Sequence, residues 1–329
     1  MKKAVYLFNN GVLRRKDNTI YFERENDKRI IPVNTISEIH IFGEVDLNKR
    51  VLEFFTKNSI PLFFYNYHGY YVGAYYPREY LNSGLLTLKQ AEFYLKIKER
   101  LFLAKSFVKG AVENILKNLK YYQKSKDDIK DYVKFIEEKK NEIDLKQDIP
   151  SLMALEGEIR KSYYESFNII LNSESFYFDK RTKRPPNNPL NALISFGNSL
   201  LYTTVLSQIY RTHLDPRIGY LHETNQRSFT LNLDISEIFK PIIVDRVIFS
   251  LVNKGKIKIE HFEEDVEFSY LNEKGKQIFI KDFEEKLFTT IKYKNLGNVS
   301  YRRLIRLECY KLYKHFLDEE IYKPFIAEW

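Results

Sequence analysis

The spacing of apolar residues changes once along this chain, near residue 84, and that change constrains the fold more than any other feature. Before it, apolar residues come in short β-branched and aromatic runs, AVYLF, TIYFE, RIIPV and ISEIHIF, broken by turn residues such as Asn9-Asn10-Gly11 and Lys16-Asp17-Asn18. Such runs build strands. A short helical stretch is expected at 46–57, followed by strands at 61–65 and 70–76. After Gly84 the period becomes helical, beginning LLTLKQAEFYLKIKERLFLAKSFVKGAVENILKNLKYY. The charged stretch 123–148 keeps apolar positions at Ile129, Val133 and Ile136, so it reads as an exposed helix and turn. A helix restarts at Pro150-Ser151, another covers 190–211, and one at 301–317 closes the fold. Segments 257–268 and 277–280 read as short strands. The expected class is α+β: a small β-rich, β-sandwich-like domain over 1–83, then a larger all-α domain over 84–329. A chain of 329 residues fits two domains.

Composition narrows the function classes. Tyr and Phe, 25 of each, supply large side chains for packing or stacking. The single cysteine, Cys309, excludes an intramolecular disulfide and any multi-cysteine metal site. No run approaches 18 apolar residues and the start reads as a strand, so neither a membrane span nor a signal peptide is expected, and the cytoplasm is the expected location. Fifty-three basic against 44 acidic residues give a net charge of +9. That surplus suits a phosphate-bearing partner only if it is locally concentrated.

Three segments carry candidate chemistry. Glu156, in LMALEGEIRKSYYESF, lies one turn into a helix whose apolar positions are Leu152, Leu155, Ile159, Tyr163 and Phe167. Its plain role is an i,i+4 ion pair with Arg160, worth about 0.3–0.5 kcal/mol on a solvated face. Gly157 argues for more, because a mid-helix glycine costs about 1 kcal/mol relative to Ala and admits a second backbone or a ligand. His222, in GYLHETNQRSF, sits in a loop, where function concentrates. The other histidines, His40, His68, His213, His261 and His315, lack such a setting and read as structural. Asp234 and Glu237, in LNLDISEIFKP, have the spacing of a capping box, with Asp234 at the N-cap. Asp234 is then a cap, a ligand or both, and Glu237 projects from the first turn. Two carboxylates and a neutral imidazole suit Mg²⁺ or Mn²⁺, which stabilise charge at a phosphorus under attack.

Basic candidates for nucleic-acid contact lie in 88–126, where ten Lys or Arg stand against three acids, in the loop Lys180, Arg181, Lys183, Arg184, and at Arg302, Arg303 and Arg306. Arg160, Arg227, Tyr163 and Tyr202 complete the candidate DNA contacts, a tyrosine near the site being able to stack on a splayed end.

Glu156-Gly157, Gly219-Tyr220-Leu221-His222, and Asp234 to Glu237 followed by Lys240-Pro241, in this order and with the closing YRRLIRLECYKLYKHFL and YKPF, resemble the CRISPR-associated adaptation integrase ("Cas-one") family along the whole chain. The resemblance implies that Glu156, His222 and Glu237 are catalytic and ligate a divalent metal, with Asp234 supporting them. It implies that Lys240, where the family commonly has Arg, faces phosphate oxygens without the bidentate fork. It also implies a homodimer through the β domain, two such dimers flanking a small second adaptation protein ("Cas-two") in a heterohexamer, and insertion of captured double-stranded DNA into a repeat array by 3′-hydroxyl transesterification. A metal-dependent structure-specific nuclease without integration, and a non-catalytic nucleic-acid binder, are the alternatives.

Overall fold

Alternation of inward apolar and outward polar residues organises the first part of the chain into β1 (Lys3–Leu7), β2 (Gly11–Lys16), β3 (Thr19–Arg24), β4 (Asp27–Ile31), β5 (Ile36–Ile41), β6 (Val45–Leu47), helix α1 (Lys49–Lys57), β7 (Leu62–Tyr65) and β8 (Tyr71–Tyr75). The computed structural model describes residues 2–25, 27–77, 81, 83–183, 185–224, 229–263 and 269–328. Two compact units divide the chain, Met1–Asn82 and Ser83–Trp329.

In the first unit the strands form two four-stranded sheets, β1-β5-β7-β8 and β4-β3-β2-β6. β1, β5 and β7 run parallel, and β8 returns antiparallel. In the second sheet β2, β3 and β4 are antiparallel neighbours and β6 lies parallel to β2. Leu7, Ile39, Ile41 and Leu62 of one sheet share a buried cluster with Leu13, Ile20, Phe22 and Ile31 of the other, closed by Val51, Phe54 and Phe55 of α1. This is the expected sandwich-like core. Helix α1 starts later than the apolar spacing suggested, because Asp46-Leu47 pair with β2 and Asn48 caps the helix by accepting from the Val51 N–H at 3.2 Å.

The second unit is mostly helical: α2 (Gly84–Leu95), α3 (Ile97–Gln123), α4 (Ile129–Asn141), α5 (Ile149–Glu165), α6 (Phe167–Leu171), α7 (Pro189–Tyr210), α8 (Leu231–Phe239), α9 (Arg246–Asn253), α10 (Glu273–Phe288) and α11 (Tyr301–Phe316). Helix α5 begins on an Asp148 cap with Pro150 in its first turn, and α7 on an Asn188 cap with Pro189, both positions where a missing N–H costs nothing. Helix α7 is buried nearly all round, α3 along much of its length. Among the described residues the unit departs from all-α by one two-stranded ribbon, β9 (Thr290–Lys292) with β10 (Asn298–Ser300). The expected strand at 277–280 is instead the middle of α10, where Phe279, Ile280 and Phe283 are buried at helical spacing. In 257–268 the described residues contain a 3₁₀ turn, Ile259–His261, and a single bridge from Phe262 to Leu271; 264–268 lie outside the described residues.

Pro241 shapes the segment that matters most. Lacking an N–H, it cannot continue the α ladder, and the chain passes through a wide π turn, Pro241–Asp245, whose Asp245 N–H reaches the Lys240 carbonyl at 3.1 Å. Asn118 of α3 donates to the Pro241 carbonyl at 2.6 Å, and Asn114 donates to Ile238 at 2.9 Å and Phe325 at 3.1 Å. The segment after α11 thus clamps α3 to α8. Gly110 permits this approach, since a Cβ there would lie 2.6 Å from Pro324.

Candidate active site

The site is assembled from a turn, helix α8 and the middle of α5; Glu237 lies in the last turn of α8 rather than in the first turn expected from the sequence. Gly219–His222 runs beside α8: a Cβ on Gly219 would sit 2.8 Å from Thr230, and the Gly219 N–H donates to the Thr230 hydroxyl at 2.9 Å. Glycine is required there by proximity. Asp234 then receives the turn. Its carboxylate accepts the backbone N–H groups of Tyr220 (2.5 Å), Leu221 (3.1 Å) and His222 (2.9 Å), and the His222 ring through Nδ1 at 2.7 Å. The expectation that Asp234 caps its own helix is corrected: α8 begins at Leu231, Thr230 is the flanking residue, and Asp234 caps the neighbouring turn instead. From α2, Gln90 grips Asp215, and the Tyr220 hydroxyl donates to Gln90 O at 3.1 Å. Arg100 of α3 donates to the Tyr220 carbonyl at 3.1 Å.

With Nδ1 engaged by Asp234, Nε2 is the ring nitrogen left to face a ligand, the arrangement in which a carboxylate fixes the tautomer of a metal-binding histidine. Burial would lower the His222 pKa, but the bond to Asp234 and its charge outweigh burial and raise it above the ordinary 6.5.

Glu156 and Glu237 meet on one guanidinium. Arg160 donates through Nε to Glu156 at 3.0 Å and through Nη2 to Glu237, and Lys240 donates to the other Glu237 oxygen. The i,i+4 pair therefore forms, but not on a solvated face, since the side chains of Arg160 and Glu237 are only 12% and 7% exposed. Burial pushes the Glu237 carboxyl up, yet Lys240, Arg160 and His222 pull it down to about 2. Burial likewise opposes the charge on Lys240, and Glu237 more than restores it. The Lys240 ammonium also lies 5.0 Å from the centre of the Tyr202 ring. As arranged, with both carboxylates committed to Arg160 and Lys240, no three His, Cys, Asp or Glu groups among the described residues stand as a metal cluster. The donor chemistry nevertheless fits a hard divalent ion: two carboxylates sharing one cation and an imidazole oriented by a third carboxylate.

The family model described as CRISPR associated protein Cas1 matches residues 5–285. The chain belongs to the Cas1 family. A protein of Thermodesulfovibrio yellowstonii named as a CRISPR-associated endonuclease Cas1 is 56% identical over 330 residues, spanning 100% of both chains. The solved structure of a Cas1 protein from Thermotoga maritima matches with a TM-score of 0.87 at 48% identity, covering 99% of this chain and 100% of that one. A casposase bound to integration product shares the fold, with a TM-score of 0.86 at 19% identity, over 100% and 95% of the two chains.

Several positions in this Cas1 family member differ from their sequence reading. Glu156 lies two turns into α5, and a Cβ on the exposed Gly157 would meet nothing within 4 Å among the described residues, so none of them uses that opening. Tyr163 is fully buried and its hydroxyl accepts from Asn118 at 3.0 Å, which removes it from DNA stacking. Arg160 is committed to the two carboxylates rather than to a surface. Within 88–126, Lys109 pairs with Asp144, Lys120 with Glu137, and Lys126 is held by the Ile170 carbonyl at 3.1 Å. Arg303 is exposed, and Lys183 is exposed within electrostatic reach of Glu237 and Glu156. Arg184 and Arg227 lie outside the described residues. Sequence reasoning missed Asp245, a lone acid within the apolar run PIIVDRVIFSLV that the structure leaves 1% exposed. It also missed the buried pair Asn114 and Asn118; in each case a polar residue in a buried stripe was the available signal.

Proposed function

We propose that this chain is a metal-dependent DNA integrase and endonuclease of CRISPR adaptation. The observation that carries the reading is the convergence of Glu156 and Glu237, from two different helices, on a single cationic group beside an Asp234-oriented histidine. Glu156, Glu237 and His222 through Nε2 would hold Mg²⁺ or Mn²⁺, which when bound polarises the scissile phosphate and stabilises charge in the transition state. Asp234 fixes the imidazole with Nδ1–H donated, keeping the Nε2 lone pair outward. Lys240, Lys183 and Arg303 contribute positive charge toward phosphate oxygens. In the joining step a 3′-hydroxyl of the incoming DNA forms a new P–O bond, losing its proton to solvent. The bond to the repeat's own 3′-oxygen breaks, and that oxygen leaves as a new 3′-hydroxyl. Water in place of the incoming hydroxyl gives cleavage.

The partners in this reading are double-stranded DNA, a second copy of the chain through its β-rich unit, and the small second adaptation protein in a heterohexamer, with the helical unit catalytic. The test is joining of a short duplex with free 3′-hydroxyls to a supercoiled plasmid carrying a repeat, with the second adaptation protein and Mg²⁺ or Mn²⁺. Joining that requires both metal and His222 is expected. Metal-dependent cutting without joining favours a structure-specific nuclease, and full function of Glu156→Ala and His222→Ala favours a non-catalytic binder.

A further inference from the structure

Arg160 and Asp245 are left half-satisfied within electrostatic reach of one another. Two of the guanidinium nitrogens of Arg160 serve Glu156 and Glu237, but its buried Nη1 has no acceptor. Asp245, the last residue of the π turn, is 1% exposed; among the described residues neither carboxylate oxygen has a well-aligned donor, and the Tyr163 hydroxyl is the neighbouring group that can donate to it. Buried polar groups are nearly always satisfied, so a buried carboxylate with no cation on it, near an unused guanidinium donor, calls for a physical reason. Strain in a loop does not supply it, because Arg160 lies within α5 and Asp245, though it ends the π turn, keeps unstrained right-handed angles (φ −65°, ψ −38°). Burial raises the Asp245 carboxyl to about 7, against the lowering pull of Arg160, the Tyr163 hydroxyl and Lys240.

Resting on the metal-site reading above, the requirement is plain. Glu156 and Glu237 can grasp a divalent ion only if the guanidinium lets go of them, and a buried guanidinium needs another carboxylate to receive it. A planar fork matches a carboxylate with two parallel bonds, and Asp245, with only the neutral Tyr163 hydroxyl as a neighbouring side-chain donor among the described residues, holds no cation on either oxygen. We propose that Asp245 is the second seat of Arg160: on metal binding the guanidinium turns from Glu156 and Glu237 and pairs with Asp245. Asp245 is in this sense a positioning residue, acting on the metal site through Arg160. Lys240 has a corresponding refuge in the face of Tyr202.

The test is calorimetric titration of Mn²⁺ alone, without DNA, into wild type, Asp245→Asn, Arg160→Gln and the double variant. Asp245→Asn is expected to weaken Mn²⁺ about 10- to 100-fold, as loss of outer-sphere partners does. Arg160→Gln is expected to bind at least as tightly as wild type, and Asp245→Asn to add nothing in that background. Equal weakening in both backgrounds, or no weakening in the single variant, overturns the proposal. Should Asp245→Asn fail to fold, a crystal structure of the wild type with Mn²⁺ decides: Arg160 Nη1 within hydrogen-bond distance of Asp245 upholds the proposal, and a guanidinium still on Glu156 or turned to solvent overturns it. Wild type that binds no Mn²⁺ dependent on His222 defeats the metal reading itself, a different failure from Mn²⁺ binding that ignores Asp245.

Discussion

Glu308 on α11 and Glu237 on α8 are both buried carboxylates of the helical unit, and they are satisfied in opposite ways. Glu308 accepts from the Tyr322 hydroxyl at 2.6 Å and the Phe325 backbone N–H at 3.0 Å, with Lys311 on its other oxygen at 2.7 Å. Two of those donors are fixed parts of the packed chain, and they pin the segment after α11 to the helix. Among the described residues Glu237 accepts only from the tips of two long cationic side chains, Arg160 and Lys240. Asp234 belongs with Glu308, since three consecutive backbone N–H groups converge on it. A carboxylate satisfied by backbone holds a fold together; one satisfied by the ends of long side chains can exchange them for a metal ion without breaking the backbone's own bonds.

The comparison breaks most readily at the two glutamates. Glu237→Gln is expected to reduce strand joining at least about 100-fold, the scale of losing one group that stabilises the transition state, while Glu308→Gln leaves joining unchanged in the same gel assay. Stability should order them differently. Glu308→Ala strands the buried Tyr322 hydroxyl and Phe325 N–H, and urea melts should report a loss of about 3 kcal/mol.

A pH series sharpens the role of Asp234. The His222 pKa is raised above 6.5 in the folded chain, so its pairing with Asp234 stabilises the fold fully below about pH 6.5 and is lost as pH rises through the raised value. Metal binding requires the neutral ring, so Mn²⁺ affinity should climb over that same interval, by no more than about tenfold per pH unit for one proton. Asp234→Asn should move the midpoint of that climb to lower pH, which calorimetry at several pH values would read. The smallest effect concerns Gly157→Ala, whose new methyl meets open space. It should raise stability by about 0.5–1 kcal/mol, and any accompanying loss in a DNA-binding titration would mean that DNA approaches this face of α5.

Much of the fold was legible because periodicity reports which faces are buried. Ile20 and Phe22 alternate inward on β3, and Leu152, Leu155, Ile159 and Tyr163 recur at helical spacing on α5. Residues 277–280 were misread because four residues cannot distinguish period 2 from period 3.6; burial of Phe279 with Phe283 distinguishes them. Asp234 and Glu237 matched a capping box in spacing, but capping depends on where α8 begins, and the Thr230–Pro216 contact at 3.0 Å that sets this joins residues 14 apart. Glu156, His222 and Glu237 stood out by motif. Arg160 as a bridge between two helices did not, because its partner Glu237 lies 77 residues away, and no local pattern encodes such a contact. Asp245 was hidden for the same reason.

In the proposed site His222, Glu156 and Glu237 hold one divalent ion. Pulsed electron-spin measurement of Mn²⁺ added to the wild-type protein tests this most directly. The expected result is coupling to a single imidazole nitrogen that disappears in His222→Ala; Mn²⁺ without nitrogen coupling, or with coupling that survives His222→Ala, would contradict it.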